Sequence, residues 1–171
     1  KEYIYDSYSV IPDFKKLKEM LERNGDEWIF LLRLHPVVAQ KSCDLIKNDF
    51  VIDVSAYEDG EELVAACDML ISDYSSIMFE PAFTHKPVFL YAPDKEEYIN
   101  HERRLLIDYD SLPFDIAQND EELCHAIEQF DQQAYDNRID AFFEMHGVHE
   151  DGHASERAAR YIFELMSRES G

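Results

Sequence analysis

The stretch Leu70-Ile-Ser-Asp-Tyr-Ser-Ser-Ile-Met-Phe-Glu-Pro-Ala-Phe-Thr-His-Lys-Pro-Val-Phe-Leu-Tyr91 decides the fold. It reads as strand, tight polar turn, helix, short turn and strand. Met69–Ser72 is a short apolar strand, a helix starts at Ser75-Ser76, and Val88–Tyr91 is the next strand after the turn His85-Lys86-Pro87. The turn Asp73-Tyr74-Ser75-Ser76 admits two readings. It can be a plain helix cap, in which a side-chain oxygen takes up free N–H groups. It can equally be a phosphate cradle of hydroxyls and N–H groups at the positive end of a helix dipole. It has none of the glycines of a P-loop or a dinucleotide-binding turn, so neither motif is present.

The same alternation runs outward along the chain. Asp13–Arg23 sets Phe14, Leu17, Met20 and Leu21 on one helical face, ended by Asn24-Gly25. Trp28–Leu34 is a continuous apolar run, as in a parallel strand covered on both faces, and His35-Pro36 stops it. Phe50–Val54 is a further short strand, and Gly60–Ala66 a helix. Beyond Tyr91 the chain becomes charged. Asp94–Arg104 reads as a helical or irregular excursion, and Pro113–Ile116 as a last strand or edge. Asp120–Phe130, Ala134–Met145 and Ser155–Ser167 read as helices, the last with Ala158, Ala159, Ile162, Phe163 and Met166 on its apolar side. Short connections between alternating helices and strands predict one α/β domain over residues 1–171, a parallel sheet with helices on both faces. Such sheets bind ligands at the carboxyl ends of their strands, where His35, Ser55 and Asp73–Ser76 all fall.

Size and charge bound the function. A chain of 171 residues that is 46% hydrophobic has enough apolar material for one real core. The net charge of −21, from 37 acidic against 16 basic residues, repels nucleic-acid phosphates and anionic lipid heads. No nucleic-acid partner is expected. An anionic ligand must instead meet a local cluster, and Arg33, His35, Lys86, Arg103 and Arg104 are the candidates. Cys43, Cys67 and Cys124 form no CxxC pair, which suggests reduced thiols in a cytoplasmic protein. Lys1-Glu2-Tyr3-Ile4 reads as a cut through a longer protein.

Each motif has a plain reading beside the functional one. His35, at a strand tip, can bond to backbone, donate to a phosphate oxygen, or protonate a leaving group near neutral pH. Ser55–Leu63 can be a simple capped loop, and Lys86 a turn residue. Glu80, one turn beyond Ser76, can accept from ribose hydroxyls or face solvent. His146, His149 and His153 span a glycine-containing loop rather than one helix face, which favours a surface loop over a metal site.

Five segments occur in order and at familiar separations: Leu32–Pro36, Ser55–Leu63, Ile71–Glu80, Lys86–Tyr91 and Asp151–Arg157. Together they resemble the C-terminal half of the CDP-glycerol glycerophosphotransferase family, the teichoic-acid primases and polymerases. The resemblance implies a GT-B architecture of two Rossmann-like domains, with this chain as the donor-nucleotide domain and the acceptor domain absent. It implies that His35 contacts the donor diphosphate and is catalytic, with Arg33 beside it. It also implies that Ser55–Leu63, including Tyr57 and Glu62, contacts the nucleotide. Asp73, Ser75 and Ser76 would form the diphosphate turn, and Glu80 the ribose position. The implied reaction transfers glycerol phosphate from CDP-glycerol to a hydroxyl of a teichoic-acid or capsule-type acceptor, with CMP leaving. No cofactor is implied and nothing demands a metal. The general base and the membrane-binding surface would lie in the absent half, and the full protein would be cytoplasmic, at the inner face of the cell membrane. Ribitol stays open as the donor alcohol. A GT-B transferase or epimerase acting on a UDP-sugar, and a non-catalytic assembly domain, stay open as alternatives.

Overall fold

The computed structural model describes residues 11–34, 48–101 and 106–169. Five short strands are present among them: β1 Phe30–Leu32, β2 Val51–Asp53, β3 Leu70–Ser72, β4 Val88–Tyr91 and β5 Asp115–Ala117. Every pairing is parallel: β1 with β2, β3 with β4, and β4 with β5. The helices are α1 Phe14–Leu21, α2 Gly60–Ala66, α3 Phe79–Ala82, α4 Lys95–His101, α5 Asp120–Glu128, α6 Gln132–Met145 and α7 Ala154–Glu169. The expected parallel α/β class is therefore the observed one. Among the described residues the ladders form a two-stranded and a three-stranded sheet rather than one continuous sheet.

The strand β4 explains how the layers hold. All four of its side chains are buried. Because side chains alternate across a strand, Val88 and Leu90 enter one core while Phe89 and Tyr91 enter the other. The first core takes Met78 and Ala82 from the segment after β3, Tyr109, Phe114, and Tyr135 and Ile139 of α6. The second takes Leu17 and Met20 of α1 with Leu123 and Cys124 of α5. Phe30 of β1 and Ile71 of β3 both pack on this second core, which joins the two sheets without a shared ladder. The Asp120 carboxylate ties the same layer together, accepting from the Tyr91 hydroxyl at 3.1 Å and the Asp13 N–H at 3.0 Å.

Some elements differ from the reading of the sequence. Strand β2 is covered on only one side: Val51 is buried, but Ile52 is 46% exposed. The helix expected from Ser75-Ser76 is a 3-10 turn, Ser76–Met78, followed by the single α turn of α3. Pro81 is the cause. It has no N–H to give the Ile77 carbonyl, so α-helix can form only where Pro81 falls in its first turn. The far end of α3 is closed by a Schellman pair, Lys86 N–H to Pro81 O and His85 N–H to Ala82 O, both at 3.0 Å. His85 takes the left-handed position at φ 56, beside the carboxylates of Asp136 and Asp140. The segment after β4 forms helix α4, and the last strand pairs in register with β4. The apolar side of α7 lies at the surface, with Phe163 73% and Met166 61% exposed.

Leu90 is fully buried in the central strand. Leu90→Ala should lower the unfolding free energy by about 2–5 kcal/mol in urea melts, with an unchanged m-value.

Candidate functional site

The carboxyl ends of the strands carry two groups of side chains. The first is built on β1 and β2. Just beyond β2, the Ser55 hydroxyl accepts the Leu34 N–H at 3.0 Å, which joins the exits of the two strands. The Ser55 N–H in turn donates to Asp53 at 2.8 Å, and the Ser55 bonds hold the Asp53 carboxyl below its usual range. Arg33 reaches the Tyr57 carbonyl at 3.5 Å, and its guanidinium lies 3.3 Å from where a side chain on Gly60 would begin. Gly60 thus opens α2 where the chain passes close under Arg33. The Tyr57 hydroxyl donates to Glu62 at 2.6 Å, a bond that pushes the phenol up and keeps it protonated. Asp59 caps α2 by accepting from Glu61 N–H and Glu62 N–H. Arg33, Ser55, Tyr57 and Glu62 are therefore brought together at the exits of β1 and β2.

The second group follows β3. The Asp73 carboxylate accepts the Ser75 N–H at 3.1 Å, and the Ser75 hydroxyl accepts the Ile77 N–H at a long 3.4 Å. Both bonds are capping bonds. Ser76 and Glu80 are exposed, and neither side chain has a partner among the described residues. With only seven residues from Ser76 to Ala82, few peptide dipoles stack behind the turn, and the dipole argument from sequence loses most of its force.

The turn is held instead by tyrosines. The Tyr109 hydroxyl donates to the Asp73 carbonyl at 2.9 Å, and the Tyr74 hydroxyl to Asp94 at 2.7 Å. The Tyr74 ring lies flat on Tyr98, with centroids 3.6 Å apart and planes at 3°, and Tyr109 tilts against it at 5.2 Å. Burial, chiefly, pushes both the Tyr74 and the Tyr109 phenols far up, so each remains a donor across the neutral range. Nothing in local spacing marks these partners. Tyr109 lies 36 residues from Asp73, and Tyr98 sits in a charged helix that reads as an excursion.

Several candidates are placed otherwise or not at all. Lys86 is not available to an anion, because its ammonium caps the end of α2 at the carbonyls of Val64, Ala65 and Cys67, at 3.2, 2.5 and 2.8 Å. His35, Arg103, Arg104 and Cys43 lie outside the described residues. Among the described residues no group of His, Cys, Asp or Glu is arranged to hold a metal. His146 bonds the Phe142 carbonyl through Nδ1, and Arg157 closes its loop on Asp151 and on the His149 carbonyl. No described hydrogen bond or ion pair links the two groups at the strand ends. The packing of α2 on α3 connects them.

A parallel α/β domain with polar turns at its strand exits is a Rossmann-like ligand-binding domain. The chain belongs to the CDP-glycerol:poly(glycerophosphate) glycerophosphotransferase family, whose model matches residues 2–164. It is 35% identical over 159 residues to the teichoic acid glycerol-phosphate transferase of Staphylococcus aureus, covering 91% of this chain and 40% of that protein. Against the teichoic acid ribitol-phosphate primase of Bacillus spizizenii it is 34% identical over 156 residues, covering 91% and 39%. Its fold is similar to that of a variant of the wall teichoic acid polymerase TagF soaked with CDPG, with a TM-score of 0.69 and 33% identity over 92% of this chain and 39% of the other. That likeness makes the chain a GT-B-type domain. It spans about two fifths of the length of these two curated relatives.

The cap formed by Lys86 gives a direct expectation. Lys86→Met removes a charged donor from three carbonyls and should cost about 1–3 kcal/mol of stability. Hydrogen exchange should rise first in α2.

Proposed function

We propose that this chain is the donor-binding half of a transferase that moves glycerol phosphate from CDP-glycerol to a hydroxyl of a teichoic-acid or capsule-type acceptor. The reading is carried by the Asp73–Ser76 turn at the exit of β3, in which Asp73, Ser75 and Ser76 are exposed, in a chain of this family. In the reaction the acceptor oxygen forms a bond to the distal phosphorus while the bond from that phosphorus to the bridging oxygen breaks. CMP leaves with the electron pair, and the acceptor proton goes to a base outside this chain. Such chemistry depends on positioning and on stabilising charge on the leaving group.

In this proposal Ser75 and Ser76 hold the diphosphate, with the Ser76 hydroxyl free to donate because no described residue occupies it. Asp73 shapes the turn through the Ser75 N–H. Glu80, exposed one turn further on, accepts from the ribose. Arg33 and the Ser55–Glu62 segment line the nucleotide side, with Tyr57 fixed by Glu62. His35, next in sequence after Leu34, stabilises the leaving CMP. Among the described residues no helix is long and apolar enough to cross a membrane.

Calorimetry on the full-length protein tests the reading. CDP-glycerol and CMP should bind, uridine nucleotides should bind more weakly, and His35→Ala should abolish turnover. Ser76→Ala should weaken donor binding about fivefold without changing the melting temperature, since it removes one net hydrogen bond to the ligand and none within the described protein. A uridine preference would turn the reading toward a transferase acting on UDP-sugars. Failure to bind any cytidine nucleotide would overturn it.

A further inference from the structure

A phosphate cradle made of N–H groups and hydroxyls works only if its backbone is fixed before the ligand arrives. Here the helix behind the turn is too short to do the fixing. Three separate elements contact the turn instead. The 3-10 turn Tyr109–Ser111 supplies the Tyr109 hydroxyl to the Asp73 carbonyl. The exit of β4 supplies Asp94, which accepts from Tyr74, and α4 supplies the Tyr98 ring that stacks on Tyr74. Lys95 of α4 pairs with Asp110 at 2.5 Å, so the elements that carry Tyr98 and Tyr109 are themselves joined. The result is a closed ring of contacts around one peptide segment.

We infer that Tyr74, Tyr98 and Tyr109 are positioning residues for the donor diphosphate, clamping Asp73–Ser75 so that the serine groups face the ligand. The inference rests on the donor-binding reading above. Its physical content is specific. The Tyr109 bond sets the orientation of the peptide between Asp73 and Tyr74. The flat stack with Tyr98 fixes the direction of the Tyr74 side chain, which leaves the backbone on the solvent side free to meet oxygen atoms. A tyrosine hydroxyl that is buried and stays protonated holds that peptide the same way across the working pH range.

Steady-state kinetics of the full-length transferase, with both substrates varied, tests it. Tyr109→Phe keeps the ring and removes one hydrogen bond. It should raise the KM for CDP-glycerol about fivefold, leave the acceptor KM within about twofold, and move kcat little. Tyr98→Leu should raise the donor KM by a similar factor and Tyr98→Phe should restore it, since phenylalanine preserves the stack. The Tyr98 pair carries the test even if Tyr109→Phe folds poorly. An unchanged donor KM in both Tyr109→Phe and Tyr98→Leu, in an enzyme whose wild type uses CDP-glycerol, overturns the inference alone. A wild type that neither binds nor uses CDP-glycerol overturns the donor-binding reading and the inference with it.

Discussion

Strand β4 is the constraint on which the rest depends. Four consecutive apolar side chains, alternating between two cores, force helices onto both faces of the sheet. Once they are in place, β3 and β5 have one register each, and the exits of β3 and β4 fall side by side. Asp73 and Asp94 therefore emerge at the same edge, close enough for Tyr74 to bridge them. The proposed diphosphate turn and its tyrosine clamp are thus consequences of how a buried parallel strand must be covered.

The electrostatics of the domain are local rather than global. A chain of net charge −21 repels a nucleotide diphosphate at a distance, and screening confines that repulsion to within about 10 Å of the surface at ordinary salt. In the proposed donor site, N–H groups, hydroxyls and Arg33 would meet the ligand close to the strand ends. Lys86, one of the five side chains that the sequence offers to an anionic ligand, is committed to the end of α2. At the proposed diphosphate turn itself the donors are then neutral N–H groups and hydroxyls, which makes their positioning matter more than their number.

Most of the architecture was legible in the sequence. Short apolar runs bounded by turn residues give the strands, and in the structure Asp13, Asp59 and Asn119 cap the helices that follow them. Local pattern failed where the outcome depends on a partner far along the chain. Ile52 looks like a buried strand residue but lies half-exposed on its strand. Lys86 looks like a turn residue because its three carbonyl partners are about twenty residues away. At the site, Arg33, Ser55, Tyr57 and Glu62 were nameable as one segment and its neighbour, and they do assemble. The clamp was not nameable, because a tyrosine among aspartates at Asp108-Tyr109-Asp110 carries no periodic signal of what it touches.

A crystal structure of the full-length protein with bound CDP-glycerol tests the central claim most directly. The account predicts at least one diphosphate oxygen within about 3.2 Å of a backbone N–H or hydroxyl of Ser75 or Ser76, with the Tyr109 bond to Asp73 intact. A diphosphate seated elsewhere, with no polar contact to that turn, would contradict it.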